Sequence, residues 1–139
     1  GVHHPPTTKR PASPVRAAAH QDSTSITLLI QATEGGLELQ APGGDWVAIE
    51  AEPNQLIVDS CDMLANLTNG QFRSTIHRVV NPPDLGKRRL SMPFLLNRKQ
   101  ATNLHPLPAG SERTGGQADY PSWTAGEFVA KRLAEIGLA

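Results

Sequence analysis

The sequence predicts a mainly β, turn-rich domain with one helix near its C-terminal end, and three observations carry that prediction. Glycine and proline each occur 12 times in 139 residues, a composition that suits short strands better than long helices. Candidate strands recur at intervals of roughly ten residues with Gly, Pro, Asn or Asp between them, the rhythm of a sandwich or a jelly roll. Near the end, Thr124-Ala125-Gly126-Glu127 has the S/T-x-x-E form of a capping box that opens a helix.

Residues 1–14 are polar and proline-rich, an extended segment with room for a short strand before Pro5. Val15–His20 and Ser25–Gln31 read as strands, the second with β-branched residues interleaved. Glu34-Gly35-Gly36 makes a turn, and Leu37–Gln40 alternates polar with apolar. After a second turn at Pro42-Gly43-Gly44-Asp45, Trp46–Glu50 alternates again, which together predicts a β-hairpin. Glu52-Pro53-Asn54 turns the chain into a short apolar strand over Gln55–Asp59. Asp62–Leu67 fits either a strand or one helical turn, because periodicity does not choose between them over so short a run. Asn69-Gly70 is a strong turn signal. Ser74–Val80 reads as a strand, Asn81–Lys87 as a loop and Arg88–Leu96 as a further strand.

Residues 98–121 read as a polar loop. Behind the capping box, Phe128, Val129, Leu133 and Ile136 recur at helical spacing, and Gly137 stands where that helix would end. Residues 1–98 are thus expected to form the core, and 99–139 a connecting loop and helix of the same domain. In the Arg88–Leu96 strand, Arg89, Ser91, Pro93 and Leu95 share one face while Leu90, Met92, Phe94 and Leu96 share the other. The continuously apolar face needs a cover, from the C-terminal helix or from elements N-terminal to Gly1. Because the chain opens on Gly1 rather than Met, it is expected to begin in the middle of a longer protein.

Composition also narrows the function classes. The formal net charge is zero, so nothing electrostatic points to nucleic acid or an anionic membrane surface. Apolar runs such as Leu28-Leu29-Ile30 are too short to span a bilayer, and no signal segment opens the chain. Cys61 is the only cysteine, which makes a reducing, cytoplasmic setting the expectation and a small buried thiol its plain reading. No Cys/His spacing suits structural zinc, and there is neither a phosphate-binding glycine loop nor a Gly-x-Ser-x-Gly elbow.

What remains is a set of polar residues within the predicted strands. His20 and Asp22 are two residues apart, so in extended chain both leave the same face. With the remote His77 they form a two-histidine, one-carboxylate set that suits Fe(II) and leaves coordination positions open for other ligands. Taken singly, each histidine is better read as a strand or core histidine. The metal reading gains force from Arg89-Leu90-Ser91 beyond His77, where a guanidinium and a hydroxyl on one face can hold a carboxylate. Arg88, on the opposite face, reads as an ordinary surface charge, and His3 and His105 as solvent-facing loop residues.

With these residues in hand, the chain resembles the C-terminal jelly-roll portion of the isopenicillin N synthase-like family of Fe(II)- and 2-oxoglutarate-dependent dioxygenases. The matching stretches are Arg16-Ala-Ala-Ala-His20-Gln-Asp22, Ile26-Thr-Leu-Leu29, Gly35-Gly-Leu-Glu-Leu39, Leu67-Thr-Asn-Gly70, His77-Arg-Val-Val80 and Arg89-Leu-Ser-Met-Pro-Phe94. The resemblance covers residues 1–98 and the Thr124–Gly137 helix, and it implies that an N-terminal half precedes Gly1. It implies a double-stranded β-helix with Fe(II) held by His20, Asp22 and His77. It further implies 2-oxoglutarate as cosubstrate, with its far carboxylate on Arg89 and Ser91. O2 would then oxidise a small-molecule substrate at a C–H bond, giving succinate and CO2. The family's first barrel strand carries Asn-x-Tyr-Pro, whereas here Val2 and His4 precede Pro5; His4 is the candidate donor in place of the tyrosine. Leu95, beyond Ser91 on the inward face, is a candidate pocket residue. Two alternatives stand beside this reading: an isopenicillin N synthase-type oxidase in which Arg89 and Ser91 grip the substrate itself, and a non-catalytic, metal-binding jelly-roll fragment.

Overall fold

The computed structural model describes residues 15–50, 52–81 and 88–138; the expected strand before Pro5, His4 and most of the Asn81–Lys87 loop lie outside them. Among the described residues, seven strands and three helices follow in the order β1 (Val15–His20), β2 (Ile26–Ile30), β3 (Leu37–Gln40), β4 (Trp46–Ala48), β5 (Leu56–Ser60), α1 (Asp62–Leu67), β6 (His77–Val80), β7 (Pro93–Leu96), α2 (Pro108–Arg113) and α3 (Ala125–Glu135). The strands form a 4-stranded sheet, β1-β6-β3-β4, and a 3-stranded sheet, β5-β2-β7. Every pairing is antiparallel. The sheets face each other and enclose a space walled by Leu37 and Leu39 of one and Leu29 and Ile57 of the other, the jelly-roll arrangement expected from the strand rhythm.

The hairpin predicted at 37–50 is β3 paired with β4. Its preceding turn needs glycine at position 36. Gly36 has φ +105, its carbonyl accepts from Val80 N at 2.9 Å, and a Cβ there would lie 2.6 Å from the Val80 carbonyl oxygen. Both the positive φ and the close approach exclude a side chain.

Three expectations are corrected. The strand expected over Arg88–Leu96 is β7 alone, because Leu90 N donates to Thr33 Oγ1 and Thr33 N to Leu90 O, so residues 88–92 bind the 31–35 loop rather than extend the ladder. The 98–121 stretch is not a bare loop. It contains α2, and Leu104 is fully buried in the main apolar cluster with Met63, Leu67, Ala125 and Phe128. Finally, α3 begins with the predicted capping box, but its apolar stripe is only half used. Phe128 is buried, whereas Leu133 is 38% and Ile136 68% exposed, because the helix packs by its first turns against α1 and the Leu104 segment and runs outward beyond them. It therefore does not cover the apolar face of β7 and the segment before it, where Phe94 and Met92 remain exposed. The ambiguous Asp62–Leu67 segment is a helix, α1. Among the described residues no helix is long and apolar enough to cross a membrane.

Substituting Gly36→Ala should lower stability by about 2 kcal/mol or more, read as a drop in the urea midpoint. Gly43→Ala, at a glycine with open space and ordinary φ, should leave the midpoint nearly unchanged.

Candidate metal centre

The site begins at the seam between β1 and β6. Their register runs Val15↔Val80, Ala17↔Val79 and His20↔His77, with irregularities between successive pairs. Five steps along β1 match three along β6 in that register, so β1 carries two extra residues as bulges. The bulges bring His20 directly opposite His77, and the ring centroids are 4.3 Å apart. Strand β1 stops at His20, so Asp22 does not share a strand face with it as the two-residue spacing predicts. It stands on the irregular 21–25 segment instead.

That segment is held by α1. The first helical N–H groups have no intrahelical partner, and Cys61 at the N-cap supplies no side-chain cap. The amides turn to the ligand segment: Asp62 N donates to Asp22 O at 3.0 Å, Met63 N to Thr24 O at 3.0 Å and Cys61 N to Ser25 O at 3.2 Å. The carbonyl of Asp22 is thus anchored while its carboxylate is free to face the histidines.

Asp22 Oδ1 lies 3.6 Å from His20 Nε2 and 4.0 Å from His77 Nε2, and one ligand atom from each of the three residues falls within 4.8 Å of the others. Each imidazole is oriented from behind. His20 Nδ1 lies 2.7 Å from Ala18 O and His77 Nδ1 3.2 Å from Thr75 O. A carbonyl only accepts, so both Nδ1 atoms carry a hydrogen, which leaves each Nε2, turned toward Asp22, as the nitrogen able to ligate a metal. The second carboxylate oxygen, Oδ2, accepts from Thr27 Oγ1 at 2.5 Å. In the neutral tautomer two lone pairs and a carboxylate oxygen converge, a donor set that suits a divalent transition ion. The separations are slightly wider than the roughly 3 Å between neighbouring ligands of an octahedral ion, so a modest inward closure completes the shell.

A second group, Asp22, Asp59 and Cys61, also clusters. Cys61 is fully buried, as expected for a plain thiol, and burial pushes its pKa up. It therefore stays protonated and is the weaker ligand. Asp59 contributes from behind instead, with Oδ2 3.6 Å from His77 Nδ1. Burial raises its pKa, while the nearby His77 opposes that rise. Neither Thr27 nor Asp59 was singled out from the sequence. The available signal was strand parity: both are polar and share the inward face of their strands with Leu29 and Ile57.

The inter-sheet space extends away from the triad. One cavity of about 130 Å³ is lined by Asp22, Thr27, His77 and apolar residues including Leu29, Leu37 and Ile57. A neighbouring cavity of about 290 Å³ shares Leu29, Leu37 and Ile57 and ends at Arg89. Arg89 Nη1 donates to Ser91 Oγ at 3.0 Å, and its Nε donates to the Glu34 and Gly35 carbonyls at 3.1 Å. The pair the sequence placed together is together, although on irregular backbone rather than a strand face. Burial, and then the Arg16 charge, push the Arg89 pKa down, which marks a cation whose surroundings would welcome an anion. Leu95 lies opposite Thr27 across β2 and β7, on its face, but lines neither cavity. His105 is exposed, as expected.

Comparison with known proteins places this geometry. Residues 2–98 match the model of the 2OG-Fe(II) oxygenase superfamily. A 2-oxoglutarate-Fe(II) type oxidoreductase of Aspergillus fumigatus is 39% identical over 137 residues, which are 95% of this chain and 39% of the relative. The crystal structure of full-length Neurospora crassa T7H with alpha-KG superposes with a TM-score of 0.77 at 32% identity, covering 89% of this chain and 38% of that one. A 2OG-Fe(II) oxygenase family protein of Caulobacter crescentus gives 0.78 at 41% identity, covering 96% and 43%. The chain thus spans well under half the length of these relatives.

Two substitutions separate the ligands from their support. His77→Ala should abolish Co(II) binding measured by calorimetry. Thr27→Val, which frees Asp22 Oδ2, should weaken it by about tenfold or more with little change in thermal stability.

Proposed function

Because the chain belongs to the 2OG-Fe(II) oxygenase superfamily, we propose that it forms the catalytic core of an Fe(II)- and 2-oxoglutarate-dependent dioxygenase, an oxidoreductase acting on a small-molecule substrate. In this reading His20, Asp22 and His77 hold the iron, and Arg89 with Ser91 holds the distal carboxylate of 2-oxoglutarate. Iron bound there would supply the redox chemistry that couples O2 to oxidative decarboxylation of the cosubstrate, giving succinate and CO2, and to oxidation of a substrate C–H bond.

One observation carries the proposal: two neighbouring inter-sheet cavities share Leu29, Leu37 and Ile57 in their walls, one reaching Asp22 and His77 and the other Arg89. A short dicarboxylate has this form, with an apolar middle and two anionic ends. The chain's residues would divide the work accordingly. The carbonyls of Ala18 and Thr75 keep both imidazoles in the ligating tautomer. The hydroxyl of Thr27 leaves one Asp22 oxygen for the metal. Leu29, Leu37 and Ile57 would meet the apolar middle of the cosubstrate.

The finer, isopenicillin N synthase-like placement rests on Arg89-x-Ser91 and Pro93-Phe94 followed by Asn97, and it leaves two chemistries to separate. Anaerobic Fe(II) with 2-oxoglutarate should give a weak visible charge-transfer band. Arg89→Ala should raise the 2-oxoglutarate concentration needed for half of that band by at least about tenfold. Succinate release under O2 is the expected product signal. O2 uptake without succinate, and no band in the unsubstituted protein, would instead identify an oxidase in which Arg89 and Ser91 grip the substrate.

A further inference from the structure

The largest cavity described lies outside the inter-sheet space. It measures about 660 Å³ and sits between α1, α3 and the 120–123 segment. Gln21, the residue between the metal-ligand positions His20 and Asp22, forms one wall, and its Nε2 donates to the Ser74 carbonyl at 3.1 Å. A volume of this size is typical of small-molecule sites, which are otherwise apolar with a few convergent polar groups.

The charges around it do not cancel locally. The two lining carboxylates are already engaged by one cation: Arg132 donates to Asp62 Oδ2 at 2.7 Å and to Glu135 Oε2 at 2.9 Å. That leaves Arg73 and Lys131 on the same cavity. Among the described residues neither forms an ion pair, and Lys131 Nζ instead lies 4.3 Å from the centroid of the Trp123 ring. The amides nearby are spoken for: Asn66 Nδ2 donates to the Leu104 and Pro121 carbonyls, and Asn69 Nδ2 to the Gln117 carbonyl. The charged groups free to meet a ligand are therefore a guanidinium and an ammonium, beside the aromatic rings of Tyr120 and Trp123.

We propose that this cavity is a binding site for a small organic carboxylate with a planar apolar body. Its carboxylate is received by Arg73 and Lys131, and its body lies against Tyr120 and Trp123. The guanidinium supplies a forked donor and the ammonium a second positive charge. The site is distinct from the passage that ends at Arg89, and it does not depend on the metal being bound.

The test uses the full chain with Trp46→Phe, which leaves Trp123 as the reporting tryptophan, and 4-nitrobenzoate as the probe. Saturable quenching of Trp123 is expected, with 4-nitrobenzamide, the neutral analogue, weaker by about tenfold or more. Arg73→Gln, remote from the fluorophore's own cation contact, should weaken 4-nitrobenzoate by about fivefold to tenfold. His77→Ala and excess 2-oxoglutarate should leave the affinity unchanged, which separates this site from the metal centre even where the metal reading fails. Equal affinity for the acid and the amide, no effect of Arg73→Gln in a variant with unchanged thermal stability, or displacement by 2-oxoglutarate would each overturn the proposal.

Discussion

The register of β1 on β6 is the constraint on which the candidate centre depends. Antiparallel strands of equal step would carry the chain past His77 before His20 arrived, or set the imidazoles on opposite faces. Two bulges in β1 absorb the surplus residues and place His20 across from His77. The rest of the ligand shell follows from that pairing. The chain must leave the ladder at His20 to bring Asp22 inward, and a segment off the ladder has carbonyls to satisfy. The uncapped amides of α1 meet that need, so helix and ligand segment complete each other's hydrogen bonding.

This exchange also explains where the apolar core sits. The main buried cluster, Met63, Leu67, Leu104, Ala125 and Phe128, lies with α1 and α3 rather than between the sheets. Packing on that side clamps α1, and hence the amides that hold Asp22. The Arg132–Asp62 contact at 2.7 Å ties α3 to the same helix from its solvent edge. The space between the sheets is thereby left to cavities lined by Thr27, Leu29, Leu37 and Ile57 instead of being filled by side chains. A ligand passage requires that division of labour, since a fully packed interior admits nothing. The opposite face of the 3-stranded sheet carries Ile30, Leu56, Val58 and Phe94 in the open, a contiguous apolar surface set by strand parity.

Much of this was legible in the sequence because it is governed by local rules. Alternation and turn residues located the strands, the 37–50 hairpin and the glycine turn at 36; the Thr124-x-x-Glu127 spacing located the start of α3. Residue types and their two-residue spacing grouped His20 with Asp22 and Arg89 with Ser91, and the combination with His77 suits few other chemistries. What only the tertiary structure decided was non-local. Period-two spacing cannot reveal a bulge, so the actual positions of His20 and Asp22 came from pairing with β6 and from the amides of α1. Six residues of Asp62–Leu67 carry too little periodicity to choose helix over strand, and packing against Phe128 and Leu104 chose helix. Residues 98–121 looked like loop because the burial of Leu104 is a property of its neighbours across the fold, not of its own segment. The outward run of α3 beyond Phe128, with Leu133 and Ile136 exposed, is of the same kind: an amphipathic pattern tells which face could be buried, and only the partner surface determines how much of it is.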